Sequence, residues 1–121
     1  FENKSVEKMI LLGAPSDLHI LTENYVKLLS LNSRMQKFLD QYFIERFNVK
    51  LQEFSGKLFG QKLGIKGIIA HDKLDTVVLF EESKKIASSW KEAVFIETTG
   101  LGHSMHDSDL YQKIADYIIE N

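Results

Sequence analysis

The chain has 121 residues, of which 44% are hydrophobic and 26% charged, and its formal net charge is -2 at pH 7. These values are typical of a globular protein with one core and exclude disordered, fibrous and low-complexity classes. The basic residues are neither in excess nor clustered, so we expect no nucleic-acid partner. The absence of cysteine excludes disulfides, thiolate nucleophiles and cysteine-ligated metal sites.

The sequence contains no apolar run long enough to span a bilayer and no signal-peptide pattern at its start. We therefore expect a soluble cytoplasmic protein without a membrane partner. The first residue is Phe1 rather than Met, which leads us to expect further sequence upstream.

Three short apolar runs predict β-strands, at residues 9–12, 67–70 and 93–96. Each run is continuously apolar rather than alternating, which is typical of strands buried on both faces of a parallel sheet. Helical patterns follow each strand, so the order predicts a single α/β domain in three layers. We expect a short parallel sheet of about three strands with helices on both faces.

Apolar spacing predicts helices at about 17–31, 35–47, 51–63 and 81–90, and from Ser108 onward. In the second of these, six apolar residues from Met35 to Phe47 recur at helical spacing, and we expect this stripe to be buried. Asn32 or Ser33 is the expected N-cap of that helix, and Ser108 that of the last.

Polar residues follow all three predicted strands, where functional side chains gather in open α/β sheets. They are Ser16 and Asp17 after the first strand, His71, Asp72 and Asp75 after the second, and Gly100, Gly102 and His103 after the third.

The last two of these segments resemble the α/β-hydrolase family. Residues 69–78, Ile-Ala-His-Asp-Lys-Leu-Asp-Thr-Val-Val, are similar to the loop after the penultimate strand of these enzymes. Residues 99–103, Thr-Gly-Leu-Gly-His, are similar to the segment that presents the catalytic histidine. By this resemblance Asp75 is the triad acid and His103 is the base that it orients.

The resemblance also implies a division of the chain. Residues 1–19 correspond to the family's sixth strand and its loop, 20–64 to a helical cap-like insertion, and 65–121 to the last two βα units. The implied function is a serine hydrolase of the esterase type, acting on a small ester or acyl substrate without a cofactor. The stripe from Met35 to Phe47 would then line an apolar pocket for that substrate.

The sequence departs from the family's pattern in two places. Leu79 occupies a position where the family often has proline, and this difference does not change a catalytic residue. No Gly-x-Ser-x-Gly motif occurs. Ser16 does not fit a nucleophile elbow, because Pro15 before it lacks a backbone N–H and no glycine follows it. We therefore expect the C-terminal portion of a hydrolase, inactive alone because the nucleophile and the oxyanion hole lie elsewhere.

Other roles for these residues stay open. We expect His71 and Asp72 to order the loop after their strand, and His106, Asp107 and Asp109 to shape the last loop and cap its helix. A metal site drawn from the same histidines and carboxylates is an alternative, but no HxH or HExxH spacing supports it.

A second functional hypothesis is a non-catalytic α/β interaction module. A first strand without an earlier neighbour leaves a bare edge, and such an edge invites pairing with another chain. This hypothesis predicts a homodimer formed through residues 9–12. A flavodoxin-like binding domain is a third reading, but the first strand is followed by no glycine-rich phosphate loop.

Overall fold

A computed structural model describes residues 5–48, 50 and 55–120 of the chain. Its elements in chain order are β1 (Lys8–Leu12), α1 (Leu18–Leu28), α2 (Ser33–Phe47), α3 (Gly56–Lys62), β2 (Lys66–Asp72), α4 (Phe80–Ser89), β3 (Ala93–Thr98) and α5 (Ser108–Ile119). Residues 51–54, predicted as the start of the third helix, lie outside the described residues. None of the described helices is long and apolar enough to cross a membrane.

The three strands form one parallel sheet in the order β1-β2-β3. Ile68 of β2 pairs with Ile10 of β1 on one side and with Val94 of β3 on the other. From Gly67 to Asp72, every residue of β2 is buried. The predicted parallel sheet and the α/β class are therefore confirmed, and the central strand has the continuous apolar run expected of it.

Helices cover both faces of the sheet, as predicted. On one face, Ile68 and Ala70 pack against Met105 and against Leu110 of α5. On the other face, Ile69 packs against Ile86 of α4 and against Trp90, which follows that helix. Successive residues of β2 thus feed two separate cores, because side chains alternate across a strand.

Gly67 marks a close approach between the central strand and Trp90. A Cβ at residue 67 would overlap the Trp90 ring. The ring is fully buried and its Nε1–H donates to the Ile65 carbonyl at 2.9 Å. The indole therefore occupies the space above residue 67 in one orientation.

The predicted burial of the α2 stripe is wrong. Met35, Phe38, Tyr42 and Phe47 are 46–57% exposed, and the helix has no buried residue. Neighbouring rings pack on one another instead, with Phe43 and Phe47 centroids 5.5 Å apart. Helical periodicity predicts an apolar face, but it does not determine which surface covers that face.

The helix caps agree with the sequence in one case and differ in another. Asn32 caps α2, because its side chain accepts a hydrogen bond from Met35 N at 3.0 Å. Asp107, not Ser108, caps α5 and accepts from Leu110 N at 2.8 Å. Ser108 is already the first helical residue, and the extended backbone of Asp107 brings its carboxylate over the first turn.

Gly67→Ala is expected to destabilise the fold by about 1–3 kcal/mol, because the added methyl group must displace the Trp90 ring or the strand. Gly64→Ala is the matched control, since a Cβ there meets no atom within 4 Å, and we expect a change within about 0.5 kcal/mol. Urea unfolding followed by far-UV circular dichroism measures both. Equal stability of the two variants would contradict the close packing of residue 67.

Candidate active site

Asp75 and His103 meet at the carboxyl edge of the sheet, after β2 and β3. His103 Nδ1 lies 2.9 Å from Asp75 Oδ2. The Asp75 side chain is buried, whereas that of His103 is 44% exposed. An ionised carboxylate only accepts hydrogen bonds, so Nδ1 carries the proton in this pair. Nε2 of His103 forms no hydrogen bond within the described part of the chain, and this leaves it able to accept a proton.

The Asp75 carboxylate is held by four donors. Oδ1 accepts hydrogen bonds from Val77 N at 2.8 Å and Val78 N at 3.0 Å. Oδ2 accepts from His71 Nε2 at 3.1 Å as well as from His103. The carboxyl plane is therefore fixed by its own loop and by two imidazole rings from different segments.

Gly13 brings the turn after β1 against this pair. A Cβ on Gly13 would lie 3.4 Å from His103 Nδ1 and 3.5 Å from Asp75 Oδ2. Its φ is +56°, a left-handed conformation that glycine adopts without steric cost. Gly13 N donates to Ala70 O at 2.9 Å, which continues the β1–β2 pairing into the turn. Gly13 was not predicted as part of the site, although a glycine at the carboxyl end of a strand was the available signal.

Asp72 ties the loop that carries His103 to the central strand. Its buried carboxylate accepts hydrogen bonds from Thr98 Oγ1 at 2.8 Å and from Leu101 N at 2.9 Å. Gly100 N donates at 3.2 Å from the same loop, and Leu74 N at 2.9 Å from the other side. The prediction that Asp72 orders the loop after its own strand accounts for the hydrogen bond from Leu74 N, but it did not include the bonds to the loop after β3.

These hydrogen bonds also govern the charge of Asp72. Burial by itself raises the pKa of this carboxyl, but the hydrogen bonds, led by those from Leu101 N and Leu74 N, outweigh it. Together they lower the pKa from 3.8 to about 2. The side chain is therefore ionised in the folded chain at neutral pH.

Among the described residues, neither Ser16 nor His106 forms a hydrogen bond with Asp75 or His103. Ser16 Oγ donates to Glu82 Oε2 at 2.6 Å, and Lys85 Nζ binds the other Glu82 oxygen at 2.6 Å. Burial raises the pKa of Glu82, but the Lys85 and Ser16 contacts outweigh it and lower that pKa below its ordinary value. His106 Nδ1 shares a 2.6 Å hydrogen bond with the Tyr111 hydroxyl. In residues 5–48, 50 and 55–120, no group of three or more histidines and carboxylates is arranged to hold a metal ion.

Asp72→Asn is expected to cost about 1–3 kcal/mol at pH 7, because an amide NH₂ group replaces one buried acceptor and faces N–H and O–H donors. The pKa of Asp72 is depressed in the folded chain, so its ionised form stabilises the fold above about pH 4. That contribution is lost as the pH falls from 3.8 towards about 2. Urea unfolding at several pH values should therefore show the deficit of the variant shrinking across this window.

Asp109→Asn is the matched control, because Asp109 is an exposed acid in the first turn of α5. We expect it to change stability by less than about 0.5 kcal/mol at pH 7. A deficit of Asp72→Asn that stays the same from pH 7 to pH 2 would contradict the role assigned to its charge.

No protein-family model matches the sequence, and no curated protein matches it. Solved structures do match. A crystallised variant of the meta-cleavage product hydrolase CumD from Pseudomonas fluorescens IP01, with acetates bound, superimposes with a TM-score of 0.56 and 17% identity. The match covers 98% of this chain and 56% of that one. A second crystallised CumD variant matches with a TM-score of 0.61 and 16% identity, over 99% of this chain and 58% of that one.

The chain thus spans a little over half the length of the crystallised chains that it matches. At 16–17% identity the likeness concerns the fold, and it extends over nearly all of this chain. Together with the three parallel strands and the helices on both faces, it identifies the architecture: the chain has an α/β-hydrolase-like fold.

Proposed function

We propose that Asp75 and His103 are the acid and base of a serine hydrolase active site. The observation that carries this proposal is the 2.9 Å hydrogen bond from His103 Nδ1 to a buried carboxylate, on an exposed ring whose Nε2 has no hydrogen-bond partner among the described residues. In this role Nε2 takes the proton of an attacking serine and later returns it to the leaving group. Asp75 holds the tautomer and stabilises the imidazolium that forms.

In this proposal the nucleophile comes from sequence outside this chain. The sequence has no Gly-x-Ser-x-Gly motif. Ser16 Oγ donates its hydrogen bond to Glu82 Oε2, and Ser104 Oγ donates to Leu101 O at 3.2 Å. The match covers only 56% of the CumD chain, and this supports an active site completed by sequence outside this chain.

The proposed reaction is hydrolysis of a small carboxylic ester or a related acyl compound, without a cofactor. CumD is described as a meta-cleavage product hydrolase, and this supports hydrolysis as the reaction class. The apolar residues exposed along α2, such as Phe38 and Tyr42, suit a surface that contacts an apolar acyl or alcohol group. A cytoplasmic location stays a prediction.

We expect the isolated chain to show no His103-dependent turnover of p-nitrophenyl acetate, because the acid–base pair has no nucleophile to activate. The assay compares the chain with its His103→Ala variant. His106→Ala is the matched control, since that histidine bonds Tyr111 and not Asp75. Robust hydrolysis that disappears only in His103→Ala would contradict the proposed absence of the nucleophile.

In a protein extended upstream to include a Gly-x-Ser-x-Gly segment, we expect ester hydrolysis that depends on both residues. His103→Ala and Asp75→Asn should each lower kcat by on the order of 10⁴-fold, because proton transfer or its correct tautomer is lost. His106→Ala should leave kcat unchanged. Retention of full activity in His103→Ala would contradict the proposed base.

A second candidate function is the self-associating interaction module. The observation that favours it is that β1 pairs only with β2 in the described sheet, so one edge of Lys8–Leu12 has no strand neighbour. A homodimer would pair the two copies of β1. We expect sedimentation equilibrium to show a concentration-dependent dimer, with residues 9–12 protected from hydrogen exchange only in the dimer. A monomer at all concentrations would contradict this candidate.

A further inference from the structure

His71 is a fully buried histidine that directly contacts the proposed acid. Its Nε2 lies 2.8 Å from Val78 O and 3.1 Å from Asp75 Oδ2. A carbonyl and a carboxylate only accept hydrogen bonds, so Nε2 carries a proton and donates it. The ring thus presents a donor to Asp75 on the same oxygen that receives His103.

The other ring nitrogen is held by helix α4. Nδ1 of His71 lies 2.5 Å from Ser83 Oγ, and Ser83 Oγ lies 3.1 Å from Ala14 O. A hydroxyl can accept or donate a hydrogen bond, so Ser83 Oγ can bond to Nδ1 whether or not Nδ1 carries a proton. A neutral Nδ1 accepts the Ser83 proton, whereas a protonated Nδ1 donates to Ser83 Oγ, whose proton then turns to Ala14 O.

Packing fixes the plane of the same ring. The Phe80 ring lies edge-on to the His71 imidazole, with centroids 5.9 Å apart. The ring is also completely shielded from solvent. Because both nitrogens are bonded and the ring is enclosed, the imidazole has one orientation available to it.

A path of hydrogen bonds therefore runs from helix α4 to the proposed base. It passes from Ser83 Oγ through the His71 ring and Asp75 Oδ2 to His103 Nδ1, and Ala14 O accepts the Ser83 proton when His71 Nδ1 itself carries a proton. Each link joins a different segment of the chain. Asp75 Oδ2 is the point at which the fixed imidazole and the exposed imidazole meet.

We infer that His71 is a positioning residue, which holds Asp75 Oδ2 facing His103 and so determines which His103 nitrogen carries the proton. Its catalytic meaning rests on the proposed function, whereas the hydrogen bonds themselves do not. A histidine that merely fills space would be replaceable by any side chain of similar shape. A positioning histidine requires a donor at the place of Nε2.

Two amide substitutions separate these roles, because each reproduces one end of the ring. Gln is long enough to place its NH₂ group near the position of Nε2, where it donates to Asp75 Oδ2 or Val78 O. Asn is shorter and reaches only the position of Nδ1, near Ser83. His71→Gln is therefore the conservative variant and His71→Asn is its matched counterpart.

The test is NMR of the ¹⁵N-labelled 121-residue chain, with the His103 ring nitrogens and the exchange of its Nδ1 proton with water as readouts. We expect a slowly exchanging Nδ1–H in the unsubstituted chain and in His71→Gln. In His71→Asn we expect roughly fivefold to tenfold faster exchange, the factor that corresponds to one lost hydrogen bond, and a mixture of the two His103 tautomers. Unchanged exchange and tautomer in a folded His71→Asn would overturn the inference.

Ser83→Ala keeps the His71 ring and removes its anchor on α4, so it decides the matter if His71→Asn does not fold. Trp90 emission reports folding, because that ring is fully buried in the core beneath α4 and the sheet. Accelerated His103 exchange in folded Ser83→Ala supports the inference, and unchanged exchange overturns it. None of these readouts requires ester turnover, so failure of the proposed hydrolase function is a separate result.

Discussion

The carboxylate of Asp75 is the point on which the arrangement of the site depends. One buried group accepts hydrogen bonds from two backbone amides of its own loop and from two histidines. A buried carboxylate left without such donors would be strongly destabilising, so its presence requires that these segments converge.

The end of the central strand supports both members of the pair. His71 and Asp72 are consecutive residues of β2, and side chains alternate across a strand, so they point in opposite directions. His71 reaches Asp75 and α4, whereas Asp72 reaches the loop at residues 98–101 that leads to His103. Because β2 is buried between β1 and β3, its end is a rigid base for the two loops.

In the described part of the chain, apolar side chains along α2 are exposed, and the outer edges of β1 and β3 have no strand neighbour. Exposed aromatic side chains grouped on one surface are typical of a contact surface. The crystallised hydrolases with a similar fold are nearly twice as long.

The strands, their parallel arrangement and the α/β class were predictable from the sequence, because continuous apolar runs and helical spacing are local patterns. The pairing of Asp75 with His103 was predictable only through the resemblance of residues 69–78 and 99–103 to a known family. Spacing along the chain does not specify that residues 28 positions apart will come within 2.9 Å of each other. The catalytic role of these residues stays a prediction.

Tertiary structure alone decided the remaining features. The periodicity of the α2 stripe predicts a buried face, but the helix has no buried residue. Burial depends on a covering surface, which helical periodicity does not specify. Gly13 joins the site through contacts with segments at least 57 residues away, as Gly13 N–H to Ala70 O illustrates, and Ser83 joins it through His71, in the strand before α4. No local pattern carries such contacts, since they exist only once the chain is folded and its strand ends meet.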